Sequence, residues 1–311
     1  MFQNVRITLL VTTGREAKMS FIRTVIVALL TTMAMTEVYA TDTVVEAVSA
    51  FERGQYEQAK NGFRELHETN PNDPQLVFYL ARSLYRHQEL KTAESILIKS
   101  LEQFPNHIES QYLLGSVHLS RVAEVNIFRK AGLARSAVTA WEQAVRLDPT
   151  HAEALYGVAS FYLTAPGIAG GDSDLGRQRL TELEALSPPW ALLTQASLAV
   201  RDEQYEQAEQ LFKNAIEGIP GRAFPSLMLA DLYLKQERFD LALTQLEIYK
   251  TRVKTWNDPG LAQTELMAGK IYEGLNRTQA AIESYEIVLS EVAHHQIKKQ
   301  AEEALESLYS R

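Results

Sequence analysis

Residues Ala208-Glu209-Gln210-Leu211-Phe212-Lys213-Asn214-Ala215-Ile216-Glu217-Gly218-Ile219-Pro220 decide the fold. A small residue, a ring four places on, a second small residue and a closing proline form the tail of a helix that lies close against another and then stops. Ala208 lets a neighbouring helix approach, Phe212 fills the gap one turn later, and Pro220 prevents continuation. The same phrase recurs as Ala59-x3-Phe63 closing at Pro71, Ala93-x3-Leu97 closing at Pro105, and Ala137-x3-Trp141-x2-Ala144 closing at Pro149. Aligning the small residue of each such helix gives Ala59, Ala93, Ala137, Gly176, Ala208, Ala242 and Ala281, spaced by 34, 44, 39, 32, 34 and 39 residues. A preceding helix carries a matching small residue in Leu80-Ala81 with Leu84, Leu114-Gly115 with His118, Val158-Ala159 with Tyr162, Leu229-Ala230 with Tyr233, and Ala268-Gly269 with Tyr272. Turns between the two helices read as Gly54-Gln55-Tyr56, Gln204-Tyr205 and Arg238-Phe239. Repeat six lacks its terminal proline in register.

This pattern resembles the tetratricopeptide repeat (TPR) superfamily, whose period is 34 residues built as antiparallel helices A and B. The resemblance implies an all-α, right-handed α-solenoid of about seven TPR helix pairs, with residues 41–311 forming one domain. A last helix, Ile297 to Tyr309, has Ala301, Leu305 and Leu308 on one face and Lys298, Lys299, Glu302, Glu303 and Glu306 on the other. It reads as a polar-backed cap over about 292–311.

The first forty residues differ in character. From Met19, Arg23 precedes an apolar run from Val25 to Leu30 continued to Met35, and Val38-Tyr39-Ala40 supplies a cleavage site. We expect a signal peptide cleaved after Ala40, translation starting at Met19, and a soluble periplasmic protein; about a dozen apolar residues fall short of the roughly 20 that span a bilayer. Cleavage lowers Lys plus Arg from 31 to 27 and Asp plus Glu from 39 to 37, so the net charge moves from −8 to −10. An acidic chain is a poor partner for nucleic acid. The absence of cysteine excludes disulfides and thiol chemistry.

Two insertions fall between helices A and B. In repeat three, ten extra residues around Val125 and Phe128 keep helix-forming character, which predicts a lengthened, protruding hairpin. In repeat four, Ala165-Pro166-Gly167-Ile168-Ala169-Gly170-Gly171-Asp172-Ser173-Asp174 must be a loop, with Asp172 to Asp174 capping helix B. A-to-B turns of a solenoid share one edge, so the two insertions should touch and form a lobe. The pairing resembles a subset of exported bacterial TPR proteins over Ile108 to Trp190. Gly167-x2-Gly170-Gly171 lacks the Lys-Ser/Thr of a phosphate loop and is followed by acids.

The chain carries no His-Glu-x2-His, no nucleophile elbow and no dinucleotide fingerprint, so no catalytic, cofactor or metal residues are expected. His118 reads as a packing histidine, and Glu182, Glu184, Glu203, Glu206 and Glu209 as a solvated face. In the superfamily helix A lines a concave groove. Carried onto this sequence, the inward positions are Phe78, Arg82, Tyr85 and Arg86; Tyr112, Ser116 and Leu119; Glu153, Tyr156, Ser160 and Leu163; Trp190, Leu193 and Ser197; and Leu227, Asp231 and Leu234. Rings give apolar area and arginine offers a planar fork, which suits a peptide or chain terminus. Arg82 and Arg86 have no packing role that requires both. The chaperone-tail clamp of cytosolic relatives is not expected, because Val44 and Val48 stand where it has Lys and Asn. The expected function is a non-enzymatic scaffold for a protein or peptide, within an envelope-associated complex; the alternative is glycan binding on the aromatic groove and Trp190.

Overall fold

The structure, a computed structural model, describes residues 43–252 and 255–310. The leader, its cleavage site and Met19 lie outside the described residues. Among the described residues there are fifteen α-helices and no strand. They are α1 (43–52), α2 (Tyr56–Thr69), α3 (Pro74–Arg86), α4 (Leu90–Gln103), α5 (Ile108–Arg121), α6 (Ile127–Leu147), α7 (Ala152–Thr164), α8 (Ser173–Leu186), α9 (Pro188–Arg201), α10 (Tyr205–Gly218), α11 (Phe224–Lys235), α12 (Phe239–Thr251), α13 (Leu261–Gly274), α14 (Thr278–Ser290) and α15 (His295–Tyr309).

The chain divides after Asn70 into two compact units. The first holds the pair α1 and α2, with Ala47, Ala50, Ala59 and Phe63 buried and the Phe51 and Tyr56 rings meeting edge to face at 5.2 Å. The second holds six pairs, α3/α4 to α13/α14, and α15.

The small-residue register explains the pairing. Ala59, Ala93, Ala137, Ala208, Ala242 and Ala281 are all wholly buried, and each is the fourth residue of its helix except Ala137, which is the eleventh of α6. Close approach is obligatory where the partner is large: a Cβ on Gly115 of α5 would meet the Trp141 indole of α6 at 2.4 Å. That indole also donates to the Tyr112 carbonyl at 3.2 Å. Between A and B the chain makes one repeated left-handed step, at Gly54, Gln88, Glu203, Glu237 and Asn276. Of the pairs with insertions, α5/α6 has no such residue and α7/α8 has its left-handed residue, Gly170, inside the insertion.

Three histidines act as N-caps: His107, His151 and His294 accept the N–H of Ser110, Ala154 and Gln296. His118 is buried with Nδ1 3.0 Å from Glu94, as a packing histidine requires. Glu209 corrects the expectation of a solvated face. It is largely covered, accepts from Tyr233 at 2.9 Å and Arg238 at 2.5 Å, and pairs with Lys213 at 2.7 Å. Burial alone would raise its pKa, but the bonds from Arg238, Lys213 and Tyr233 hold it down at about 2. The α15 cap packs Ala301, Leu305 and Leu308 against Ala262, Leu266, Tyr285 and Val288. No helix among the described residues is long and apolar enough to cross a membrane.

Candidate functional site: a half-filled groove

Within the second unit, positions three before, one after and five after the small residue of helix A lie on one face. On α3 these are Phe78, Arg82 and Arg86; on α11 they are Leu227, Asp231 and Lys235. The two sets meet different fates.

The first half of the groove is filled by the connection between α12 and α13. Trp256 stands edge-on to three rings, with centroids 6.4 Å from Phe78, 6.0 Å from Tyr85 and 5.6 Å from Tyr112. Arg86 Nη1 donates to the carbonyls of Asp258 (2.5 Å) and Trp256 (3.5 Å). Asn257 Nδ2 donates to Tyr112 Oη at 2.8 Å and Glu153 Oε2 at 3.2 Å, while Arg222 pairs with Glu153 at 2.9 Å and reaches Thr255 Oγ1 at 3.2 Å. The buried Asp258 carboxylate accepts the Thr255 N–H, and Tyr249 Oη donates to the Pro259 carbonyl at 2.6 Å. Burial, then the Glu153 charge, pushes the Tyr112 phenol well up; burial raises Asp258 against the Thr255 N–H and Arg222. The plug thus engages Arg86, Tyr112 and Glu153, groups that an extended peptide ligand in this half of the groove would need.

This corrects the reading of the two arginines. Arg86 is spent on backbone carbonyls of the plug, and the Arg82 guanidinium lies over the Tyr79 ring at 5.0 Å and the Phe78 ring at 5.7 Å. Both have packing roles. Ser116 bonds back to the Tyr112 carbonyl, and Ser160 meets Thr194 Oγ1 at 3.1 Å. Tyr156 and Trp190 pack on each other at 5.2 Å, Trp190 inside the core and Tyr156 half-buried against it. Burial pushes the Tyr156 phenol up to about 12, against the Ser160 bond. Leu193 is wholly buried and faces no groove.

The second half is open. Ser197 and Val200 of α9, Phe212 of α10, Phe224, Leu227 and Met228 of α11 and Met267 of α13 line an apolar cavity of about 370 Å³. Asp231 and Lys235 pair at 2.7 Å at its edge. Ser197, Leu227 and Asp231 were expected here; Met228 and Met267 were not, because an unbranched thioether reads as core in any helix.

The two insertions meet at one hydrogen bond. The repeat-four insertion turns through a short 3₁₀ segment, Gly167–Ala169, and Arg135 Nη1 of α6 donates to the Ile168 carbonyl at 2.8 Å. Gly170 sits at φ +103°, and a Cβ on Gly171 would collide with the Ala165 carbonyl at 1.8 Å. The N–H groups of Ala169, Gly170, Gly171 and Asp172 bond to Pro166, Gly167, Pro166 and Tyr162 carbonyls, leaving none of these for a phosphate. Asp172 caps α8 by accepting from Asp174 and Leu175. Pro166 and Gly167 are exposed, and Val125 is half-buried. Among the described residues no group of three or more His, Cys, Asp or Glu could hold a metal ion.

Models described as "Tetratricopeptide repeat" match residues 50–117, 122–187, 199–250 and 266–290, together more than half of the chain. A tetratricopeptide repeat protein from Parabacteroides merdae is 17% identical over 87% of this chain and 98% of its own, with a TM-score of 0.52. A thermophilic TPR protein of Thermus thermophilus is 18% identical over 67% of this chain and 98% of its own, with a TM-score of 0.51. These likenesses are of fold alone. No curated protein matches the chain in sequence.

Proposed function

Because the chain belongs to the tetratricopeptide repeat superfamily, whose fold serves as a protein–protein interaction scaffold, we propose that it is a periplasmic scaffold holding a partner peptide in the open half of its groove. Members of the superfamily are generally non-enzymatic. The observation that carries the reading is the cavity at Leu227, Met228 and Met267: concave, apolar, and sized for one large side chain. A peptide would set an aliphatic or aromatic anchor there and run past the Asp231–Lys235 pair, with the methionines adapting to its shape. Export after loss of residues 1–40, and membership of an envelope complex, belong to the same proposal and rest on the leader sequence. Peptide is preferred over glycan because the rings a sugar would stack on are covered by Trp256 or turned against each other.

Peptides selected from a displayed library on the whole chain test the proposal. Enrichment of a large apolar residue, with affinity about tenfold or more weaker for Met228→Glu, supports it, since the carboxylate would have to be desolvated by the anchor. Selected peptides that bind the variant equally well would refute it.

A further inference from the structure

The insertion lobe carries a surface that the groove does not use. The small residue of every other B helix is its fourth, whereas in α6 it is the eleventh, so seven residues, Ile127 to Leu133, project about 10 Å past the common helix start. Phe128, at the first turn, is 91% exposed and Ile127 71% exposed. Phe128 and Arg135 are seven apart and share a face, and Arg135 holds the Ile168 carbonyl; Ile168 itself is 82% exposed. Three large apolar side chains therefore stand in water along one lobe, Ile127 and Phe128 at the end of α6 and Ile168 beside Arg135 about 10 Å further along it, and they are among the most exposed apolar residues of the described chain.

The tip also differs in charge. Residues 127–135 contain Arg129, Lys130 and Arg135 and no acid, in a chain of net charge −8. The nearby acids are committed: Glu124 pairs with Arg121, Asp172 caps α8, and Asp174 pairs with Arg177. We propose that this tip docks on an anionic lipid bilayer, with Ile127, Phe128 and Ile168 entering the headgroup boundary and Arg129 and Lys130 meeting lipid phosphates.

A bilayer fits better than a protein for two reasons. The prongs are convex and separate, which a fluid interface accommodates and a rigid partner must be shaped to receive. The chain as a whole is acidic and an anionic surface repels it, so charge complementarity favours approach through the basic tip. The contact is peripheral, and it is independent of the groove.

The test is co-sedimentation of the whole chain with vesicles of phosphatidylethanolamine and phosphatidylglycerol, against phosphatidylcholine vesicles. A variant combining Ile127→Ser, Phe128→Ser and Ile168→Ser is run alongside, so that any contribution of residues 1–40 is common to both. The proposal requires partitioning onto anionic vesicles to fall about tenfold or more in the variant, and Arg129→Gln with Lys130→Gln to reduce the preference for anionic over zwitterionic lipid. Equal partitioning of variant and parent overturns it. So does a parent with no preference for anionic lipid, or an unaltered vesicle interaction alongside loss of a crosslinked protein partner. Phe128→Glu alone, at the most exposed of the three, gives the same reading if the triple variant loses helicity. Peptide binding in the groove stays unchanged in all of these variants, so failure here is distinct from failure of the groove reading.

Discussion

On α3 the inward residues Phe78 and Arg86 meet Trp256 and the carbonyl of Asp258, whereas on α11 the equivalent Leu227 and Lys235 meet an open cavity and Asp231 of their own helix. One repeat position thus yields a sealed contact in one half of the unit and an accessible one in the other. The cause lies in the chemistry of the side chains. Rings surround an indole edge-on, and one arginine nitrogen donates to two carbonyls, so the first half is complementary to a polar, aromatic loop. The second half offers aliphatic and thioether surface with no bonding pattern of its own, which suits an exchangeable anchor. Facing the groove in a repeat is therefore not enough to make a residue available.

The largest way to break this contrast is Trp256→Ala. It removes the ring between Phe78, Tyr85 and Tyr112, and we expect a loss of about 3 kcal/mol, read as a lower urea midpoint, toward the lower end for truncating a large ring because Trp256 is half-buried. Next comes Arg86→Ala, at about 2 kcal/mol, since the Trp256 and Asp258 carbonyls lose a charged donor. The two losses should be less than additive in a double-mutant cycle, because both act through one plug. In the open half, Met228→Glu should cost under about 1 kcal/mol in the same assay, because its side chain is already partly in contact with water.

The smallest effect at neutral pH is Glu209→Gln, about 1 kcal/mol for a charge network near the surface. Its value is in its pH dependence. A carboxylate held at about 2 instead of its ordinary 4.5 contributes stability above pH 4.5 that is lost as pH falls toward 2. The gap between parent and variant, followed by thermal melts, should close across that window. Trp256 fluorescence should be unaffected, since Glu209 ties α10 to α11 and the turn into α12 and does not touch the plug.

The seven pairs and the cap were legible because their signal is local: a small residue and a ring one turn apart fix where each helix is buried, as the complete burial of Ala93, Ala208 and Ala242 shows. The lobe was legible from the excess spacing before Ala137 and Gly176. The plug was not, because Arg86 and Asp258 are 172 residues apart and no periodicity links them. A trace of it was present. Ala242 and Ala281 are 39 apart, five beyond the repeat period, and the proline missing from repeat six reappears as Pro259 in Trp256-Asn257-Asp258-Pro259-Gly260. The arginines were misjudged for the same reason, since a fork that grips a ligand and one that grips the chain's own carbonyls look alike in sequence.

Nuclear Overhauser contacts from the Trp256 indole, assigned by their disappearance in Trp256→Phe, test the half-filled groove most directly. Cross-peaks to the ring protons of both Tyr85 and Tyr112, with none to the methyls of Met228 or Met267, are the predicted result. An indole with no contact to either tyrosine would mean that the first half of the groove is open, and would contradict the account.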